Sequence, residues 1–244
     1  MIQPYISIVV PAFNEKHTLP ACLNSLRQQD FSFPYEIIVV DNASTDCTAA
    51  LARQAGVHLI SEPKKGVAAA RRAGFAAAQT NIIASTDADC IVPSDWLTRF
   101  WQALNEKPDL VAVGGYAMHY DAPLYLDLFT HAGQCLNVKQ LAGNLARRQP
   151  LTTQNLAVRK SAYEQVGGFD PNITSPLGLD DADLAMRLSA VGQVVVLPDL
   201  IVQTSARRYQ QDPLRTVGYR WVNYASYALR NKGAFRHKTA DVRL

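Results

Sequence analysis

Carboxylates follow several strand-like runs of the sequence, and carboxylates in such places can hold a cation or move a proton. Glu15, Asp41, Asp87 and Asp89 each come shortly after an apolar run rich in Ile or Val. In parallel α/β sheets, ligands bind outside the carboxyl ends of the strands. A single acidic residue there is usually a helix cap or a turn former, but acidic residues after three such strands predict one shared site.

The segment Asp87-Ala88-Asp89 directly follows the apolar run 82–86 and is the most specific of these groups. If the segment is extended, residues two apart point to the same side, so both carboxylates face one site. Two carboxylates placed in this way repel each other unless a cation lies beside them. A hard divalent cation completes its ligand shell with substrate phosphates. The segment therefore predicts Mg²⁺ or Mn²⁺ carrying a diphosphate.

A second acidic group, Asp180-Asp181-Ala182-Asp183, opens a helix-like segment, where the helix dipole already favours negative charge. At about 100° per residue, Asp181 falls on the apolar stripe of Leu184, Ala185 and Leu188. Asp180 and Asp183 are predicted to share the opposite side with Arg187. Asp183 and Arg187 are four residues apart and are expected to pair. Asp181 is expected to point inward, where a carboxylate is a candidate general base.

Basic residues cluster in two places, around the glycine at position 66 and after residue 206. Two interpretations of them remain open. Such charges commonly lie on a solvated surface, but Arg side chains near a diphosphate can bind it in a bidentate manner and neutralise a leaving group. The residues concerned are Lys64, Lys65, Arg71, Arg72, Arg207 and Arg208.

Strand-like and helix-like segments alternate along the first half of the chain, which is typical of βαβ units. We predict strands at 6–10 (stopped by Pro11), 36–40, 57–60 and 82–85, and helices at 19–26, through Leu51 and Ala52, and at 66–79. Beyond Asp89 we predict a helix at 93–104, a strand at 110–113, a loop excursion at 116–150, helices at 158–166 and 180–191, and a strand at 193–197. The fold class is α/β, with a mainly parallel central sheet and helices on both faces.

The composition excludes several classes of protein. The 244 residues fit one domain, and 24 basic against 21 acidic residues give a net charge of +3, too small an excess for a nucleic-acid-binding protein. No run of about 18 apolar residues is present, and the N-terminus has no basic leader, so we expect a cytoplasmic protein. The cysteines form no C-x-x-C pair and are expected to be reduced, mostly buried thiols.

Residues 214–232 mix Tyr, Trp and Leu with Arg and predict an amphipathic helix. We therefore divide the chain into a catalytic domain, 1–210, and a C-terminal tail, 211–244. Two interpretations of the tail remain open. It packs on the domain or on a second copy in a homodimer, or it lies on a membrane surface near a lipid-linked acceptor. In the second case the protein is peripheral on the inner face of the membrane.

With these motifs together, the chain resembles the inverting nucleotide-sugar glycosyltransferases of family 2, which have the GT-A fold, a Rossmann-like α/β domain. The resemblance covers about residues 5–208, and the order and spacing of its motifs are specific although each motif alone is weak. The motifs are ISIVVPAFNE (6–15), EIIVVDNASTD (36–46), EPKKGVAAARRAGFAAA (62–78), STDAD (85–89), TQNLAVRKSAYEQVGGFD (153–170) and LDDADLAMRL (179–188).

The resemblance implies roles for particular residues. Asp89 would be the direct metal ligand, and because residues 198–210 contain no His, the metal would rest on Asp89, phosphates and water. Asp181 would be the catalytic base, with Asp180 as its acidic neighbour where relatives often have Glu. Asn155, Gly168 and Phe169 would shape the acceptor and donor-sugar side. The nucleotide and donor would be bound by Pro11, Ala12, Asn14, Glu15, Asp41, Lys65, Gly66, Arg71, Asp87 and Ala88.

The resemblance also implies the reaction. A sugar would move with inversion from a nucleoside-diphosphate donor, expected to be UDP-linked, to a hydroxyl of a glycan, lipid-linked or small-molecule acceptor, with Mn²⁺ or Mg²⁺ as cofactor. Two alternatives remain: a sugar-nucleotide nucleotidyltransferase, disfavoured because residues 11–18 contain no glycine, and a non-catalytic sugar-nucleotide-binding subunit, disfavoured by the intact set of aspartates. A dinucleotide-dependent dehydrogenase is not expected, because no G-x-G-x-x-G follows a strand.

Overall fold

The computed structural model describes residues 5–122, 151–170 and 179–207, and strands and helices alternate through most of them. The strands are β1 (Ile6–Ala12), β2 (Tyr35–Asp41), β3 (His58–Ser61), β4 (Ile82–Ser85), β5 (Cys90–Ile91), β6 (Leu110–His119), β7 (Leu156–Arg159) and β8 (Gln193–Thr204). The helices are α1 (Leu19–Arg27), α2 (Thr48–Gln54), α3 (Val67–Ala77), α4 (Trp96–Glu106), α5 (Lys160–Gln165) and α6 (Leu179–Ser189).

These strands form one sheet in the order β3-β2-β1-β4-β7-β6-β8-β5. β1 lies between β2 and β4 and is parallel to both, β3 is parallel to β2, and β8 is parallel to β6. β7 is antiparallel to β4 and β6, and β5 is antiparallel to β8. The predicted mainly parallel sheet is confirmed. The carboxyl ends of β1, β2 and β4 therefore meet at one edge, as the sequence predicted.

Both faces of the sheet are covered by helices, which explains why β1 is buried along its whole length and is apolar at every residue but Ser7. Successive residues of a strand point to opposite faces. On one face, Ile8 belongs to a core cluster with Trp96 of α4 and with residues of α1. On the other face, Val9 belongs to a second core cluster with Phe75 of α3 and with residues of α5 and α6. The predicted placement of helices on both faces is confirmed.

The predicted helix at 158–166 is wrong in its first part, because Leu156–Arg159 is strand β7 and the helix begins only at Lys160. In β7, Val158 pairs with Ile83 of β4 on one side and with Ala112 of β6 on the other. A short apolar run fits a buried strand as well as a helix, and pairing with two distant strands decides between them. Periodicity alone cannot show such pairing.

Several strand ends also differ from the prediction. β1 continues through Pro11, which pairs with β2 but lies beyond Val9, the last residue of β1 paired with β4. The missing N–H of the proline is therefore tolerated at the end of the strand. β8 does not end at Leu197, because its register against β6 shifts and pairing resumes at Ile201. β6 extends to His119, and β5 was not predicted at all.

Some of the predictions fall wholly or partly on residues that the structure does not describe. Residues 123–150 of the predicted excursion and the whole tail, 211–244, lie outside them, so the division into two parts stays a prediction. Within the described ranges, no helix is long and apolar enough to cross a membrane. The cysteines described there are free thiols, of which Cys22 and Cys90 are buried and Cys47 is exposed.

Candidate active site

A buried arginine joins two of the acidic groups that the sequence singled out. Arg71 of α3 donates to Oδ1 of Asp87 at 2.7 Å and to Oδ2 of Asp180 at 3.1 Å, and its guanidinium lies 3.8 Å from Oδ1 of Asp181. Only 5% of its side chain is exposed. Charge-assisted bonds to partly buried carboxylates are the strong class of hydrogen bond. Arg71 therefore connects the carboxyl end of β4 with the first turn of α6.

Asp181 has the properties of a proton acceptor. Burial, together with the negative charge of Asp180, raises the pKa of Asp181 to about 7, while Arg71 and hydrogen bonds from Thr153 oppose this rise. Burial also raises the pKa of Asp180. A general base works best when its pKa lies near the operating pH. Two neighbouring carboxyl groups with raised pKa values thus lie beside Arg71.

The predicted outward position of Asp180 is wrong. Its side chain is 3% exposed and bonded to Arg71, whereas Asp181, predicted to point inward, is 18% exposed and borders the same cluster. The apolar stripe of a helix identifies the side that faces the core, but the first turn of α6 also abuts α3, which supplies a cation for Asp180. The predicted pair of Asp183 with Arg187 is confirmed.

The Asp87–Asp89 segment does not stay extended, contrary to the condition under which both carboxylates would face one site. The N–H of Cys90 donates to the carbonyl of Asp87 at 3.0 Å and closes a turn. Asp87 bonds to Arg71, and Asp89 accepts a bond of 3.4 Å from Oγ1 of Thr204 at the end of β8. Ala88 between them is buried. The turn lets the two carboxylates contact different partners at one edge of the sheet.

The loops after β1 and β2 bind to each other and form the next part of this edge. Asn14 has a positive φ of 54°, donates its N–H to Oγ of Ser44, and accepts the N–H of Thr45. Pro11 and Ala12 lie in β1 and are buried. Asn14, predicted for the nucleotide pocket, is thus held by the loop after β2.

Asn42 was not predicted, although it joins the loop after β2 to the segment 62–66. Its Nδ2 donates to the carbonyls of Glu62 and Lys64, at 3.0 and 2.7 Å, and its Oδ1 accepts the N–H of Gly66 at 2.7 Å. The φ of Gly66 is 131°, a conformation that favours glycine. The position of Asn42 within the motif 36–46 was the sequence signal for this residue, but only the folded loops show its hydrogen-bond partners.

Asp41 and Lys65 lie beside these loops. Asp41 is buried, and its Oδ1 has no hydrogen-bond partner within the described part of the chain. A buried acceptor without a partner costs free energy, so it is suited to a donor supplied by a ligand. The ammonium group of Lys65 lies 5.4 Å from the centre of the Phe13 ring. The side chains of Asp41 and Lys65 are therefore candidates to contact the base and the phosphates of a nucleotide.

Glu15 has protein partners for both oxygens of its carboxylate. Arg207 donates to Oε1 and Oε2 at 2.8 and 2.9 Å, and Oγ1 of Thr18 donates to Oε2 at 2.6 Å. The structure therefore brings Arg207, from the end of β8, to the carboxyl end of β1. Arg208 lies outside the described residues.

Asn155, predicted for the acceptor side, is fully buried and bonded within the protein. Its Nδ2 donates to the carbonyls of Tyr116 and Leu200 at 2.8 and 2.9 Å, and its Oδ1 accepts the indole N–H of Trp96 at 2.9 Å. Asn155 therefore locks β6, β8 and α4 to the start of β7. Its role in shaping an acceptor site stays a prediction.

Gly168 and Phe169 also lie inside the molecule. The φ of Gly168 is 68°, and a Cβ there would stand 2.7 Å from the Tyr163 ring, so the turn requires glycine. Phe169 is fully buried between Phe75 and Tyr163, and its carbonyl accepts a bond from Arg72. The turn packs α5 against α3. Its contribution to substrate binding likewise stays a prediction.

Within residues 5–122, 151–170 and 179–207, no group of three or more His, Cys, Asp or Glu side chains could hold a metal ion by itself. Asp89 is 7% exposed and offers a carboxylate beside the turn that carries Asp87. A divalent cation bound through one or two carboxylates takes its other ligands from phosphates and water. The donor set present fits that kind of site and does not fit a closed structural site.

Comparison with known proteins gives the family. The sequence model of Glycosyl transferase family 2 matches residues 7–164. Glycosyltransferase AglE of Haloferax volcanii is 30% identical over 183 residues, which cover 70% of this chain and 58% of AglE. An uncharacterized glycosyltransferase of Mycobacterium bovis is 37% identical over 199 residues, which cover 80% of this chain and 84% of that protein.

Solved structures of similar fold include two complexes with Mn²⁺. The mannosyltransferase PcManGT from Pyrobaculum calidifontis, in complex with GDP-Man and Mn²⁺, superposes with a TM-score of 0.71 at 22% identity, over 94% of this chain and 65% of that one. Glucosyl-3-phosphoglycerate synthase from Mycobacterium tuberculosis, in complex with Mn²⁺, UDP and glucosyl-3-phosphoglycerate, gives a TM-score of 0.63 at 20% identity, over 98% of this chain and 82% of that one. At these identities the likeness shows the fold. Since the family match spans well over half of the chain, the protein belongs to glycosyl transferase family 2, and its fold is of the GT-A type.

Proposed function

We propose that the protein transfers a sugar, with inversion, from a nucleoside-diphosphate sugar to an acceptor hydroxyl, with Asp181 as the general base. The observation that carries this proposal is the state of Asp181: a carboxylate with a pKa of about 7, fixed by Thr153 at the edge of the sheet where the strand ends meet. A base of this kind is matched to the removal of a hydroxyl proton near neutral pH.

The proposed reaction is a single displacement. Asp181 takes the proton of the acceptor hydroxyl as its oxygen forms a bond with the anomeric carbon. The bond between that carbon and the diphosphate oxygen breaks on the opposite side, and its electron pair leaves with the nucleoside diphosphate. General-base assistance contributes about 10²–10⁴-fold to such a step. Inversion follows because attack and departure occur on opposite faces of the sugar.

The donor is proposed to lie across the loops after β1 and β2. Asp41 offers a buried oxygen without a protein partner, which suits an N–H group of the base. Lys65 and the loop held by Asn42 stand beside it. A UDP-linked donor is the first candidate, and GDP-linked sugars are the second because PcManGT was crystallised with GDP-Man.

Asp89 is proposed to hold a divalent cation, for which Mn²⁺ is the first candidate because two similar structures contain it. When bound, the cation supplies positive charge where the diphosphate leaves. Asp89 would bind it directly, and Asp87 would remain on Arg71 and orient the turn. Thr204 donates to Asp89 and thereby fixes the direction of this carboxylate.

Replacement of Asp181 by asparagine tests this proposal. The release of nucleoside diphosphate from UDP-glucose, UDP-N-acetylglucosamine and GDP-mannose is measured with Mn²⁺, first with water and then with glycan, lipid-linked and small-molecule acceptors. We expect kcat of Asp181→Asn to fall by at least about 10²-fold, with donor binding retained.

Asp183→Asn is the matched control, since it removes a carboxylate from the same helix that pairs only with Arg187 among the described residues. It should leave kcat within about threefold of the unchanged chain, because its ion pair with Arg187 is separate from the contacts of Arg71 with Asp87, Asp180 and Asp181. Full activity in Asp181→Asn would refute the proposal. Release of pyrophosphate from a nucleoside triphosphate and a sugar phosphate would instead support the nucleotidyltransferase alternative.

A further inference from the structure

Asp181 receives hydrogen bonds on both carboxylate oxygens from one residue, Thr153. The hydroxyl of Thr153 donates to Oδ1 at 2.7 Å, and its backbone N–H donates to Oδ2 at 3.2 Å. Thr153 is 2% exposed. Because each oxygen is bonded to a different atom of the same residue, the plane of the carboxylate is fixed relative to the backbone.

The two oxygens of Asp181 are not equivalent. Nη1 of Arg71 stands 3.8 Å from Oδ1, on the oxygen that already accepts the Thr153 hydroxyl. The other charged groups facing this cluster are Asp180, next along α6, and Asp87, across Arg71. Among the residues that the structure describes, Oδ2 accepts only the Thr153 N–H, at the longer distance. Of the two oxygens, Oδ2 therefore has the fewer contacts with the described residues and the longer hydrogen bond.

The turn that carries Thr153 is itself locked. The N–H of Asn155 donates to the carbonyl of residue 152 at 3.0 Å, and the side chain of Asn155 makes its three bonds to β6, β8 and Trp96 of α4. Gly115 permits this close approach, since a Cβ there would stand 2.1 Å from the carbonyl oxygen of Leu200 and 2.4 Å from Nδ2 of Asn155. Thr153 thus stands on rigid elements rather than on a free loop.

We propose that Thr153 is the positioning residue of the base: it ties down Oδ1 of Asp181 and leaves Oδ2 to take the proton of the acceptor hydroxyl. This assignment rests on the proposed function, since it presumes that Asp181 is the base. The hydroxyl of Thr153 acts through Oδ1 of Asp181, which is not the oxygen assigned to the proton. A reacting carboxylate held in one orientation needs no reordering when the acceptor arrives.

The test compares Thr153→Val, which removes the hydroxyl and keeps the shape, with Thr153→Ser, which keeps the hydroxyl. Thr152→Val is the matched control, because it makes the same change one residue earlier, at a hydroxyl without a hydrogen-bond partner among the described residues. The pH profile of kcat is measured with Mn²⁺ and whichever nucleotide sugar of the panel is turned over fastest. A ¹³C-carboxyl NMR titration of the free protein follows Asp181, whose resonance is the one that Asp181→Asn lacks.

We expect Thr153→Val to move both the NMR titration and the rising limb of the kcat profile upward by roughly one pH unit, a tenfold change in the proton equilibrium. The plateau of kcat should fall roughly tenfold, with the KM for the donor within about twofold. Thr153→Ser should restore both values, and Thr152→Val should match the unchanged chain.

Suppose that Asp181→Asn is inactive but Thr153→Val shifts neither the rising limb of the kcat profile nor the NMR titration of Asp181. This result would overturn the role of Thr153 and leave the proposed function standing. An active Asp181→Asn would instead overturn the proposed function, whatever the titration shows. If Thr153→Val does not fold, Thr153→Ala removes the same hydroxyl by truncation and must give the same upward shift. A loss of thermal stability without any shift would mean that Thr153 only supports the fold, which also overturns the assignment.

Discussion

Replacing Asp181 by asparagine should change how the stability of the protein depends on pH, in the absence of any substrate. Burial and the charge of Asp180 raise the pKa of this carboxyl from its ordinary 3.8 to about 7 in the folded chain. The folded state therefore binds the proton more tightly than the unfolded state. The stabilisation from this proton is complete below about pH 4, is lost as the pH rises to about 7, and does not change further above that. The asparagine variant has no such proton to lose.

The magnitude follows from the two pKa values. A difference of roughly 3 pH units at about 1.4 kcal/mol each gives an upper limit of roughly 4 kcal/mol for the whole range. Between about pH 5 and about pH 8, the free energy of unfolding of Asp181→Asn should therefore rise by roughly 2–3 kcal/mol relative to the unchanged chain. The titrations of groups distant from Asp181 are the same in both proteins and cancel in this difference, whereas that of Asp180, whose charge acts on Asp181, does not. The proposed base would thus be held at a cost in stability.

Urea denaturation of both proteins, followed by tryptophan fluorescence at several pH values between about 5 and 8, measures this difference. The slope with urea concentration should be the same for the two proteins, so that only the midpoint changes. A difference in free energy that does not vary with pH would refute the reasoning, because it would show that the carboxyl of Asp181 ionises equally easily in the folded and unfolded states. A fall with increasing pH would refute it as well.

Two further predictions concern the charges around this site. Arg71→Gln should lower the free energy of unfolding at about pH 8 by roughly 3–5 kcal/mol, because it leaves buried carboxylates without their cation. The loss should be smaller at about pH 5, because protons then neutralise these carboxylates. Urea denaturation at both pH values measures the two losses. Equal losses at both would contradict this account. Asp89→Ala should abolish the rise in Tm that Mn²⁺ adds to that of UDP or GDP, while the unliganded Tm stays within a few degrees, as thermal melts with and without EDTA will show. A full Mn²⁺ effect in Asp89→Ala would place the cation elsewhere.

The sequence predicted best what local patterns determine. The alternation of apolar runs and helical stripes predicted most elements of the first half, and the acidic residues after β1, β2 and β4 predicted the edge where the site lies. The place of Asp181 on an apolar stripe made it the candidate base, and that role stays a prediction. The pairing of Asp183 with Arg187 followed from a spacing of four residues, which needs no knowledge of the rest of the fold.

What the sequence could not predict depends on partners distant in the chain. Asp180 is buried because Arg71, 109 residues earlier, reaches it from another helix. Val158 is in a strand because β4 and β6 leave a place between them. Asn42 bonds to backbone atoms of another loop, and Thr153 bonds to the carboxylate of Asp181 in α6. No pattern of residue types reveals such bonds.

The bond between Arg71 and Asp180 also constrains the order in which parts of the chain can fold during synthesis. A nascent chain that ends before α6 can pair β1, β2, β3 and β4, whose partners lie within the first 85 residues. In such a fragment Arg71 has Asp87 but neither Asp180 nor Asp181. Contacts of large sequence separation form late because the loop must close first. The parallel half of the sheet can therefore form during synthesis, whereas the charge balance of the site is completed only after α6 has left the ribosome.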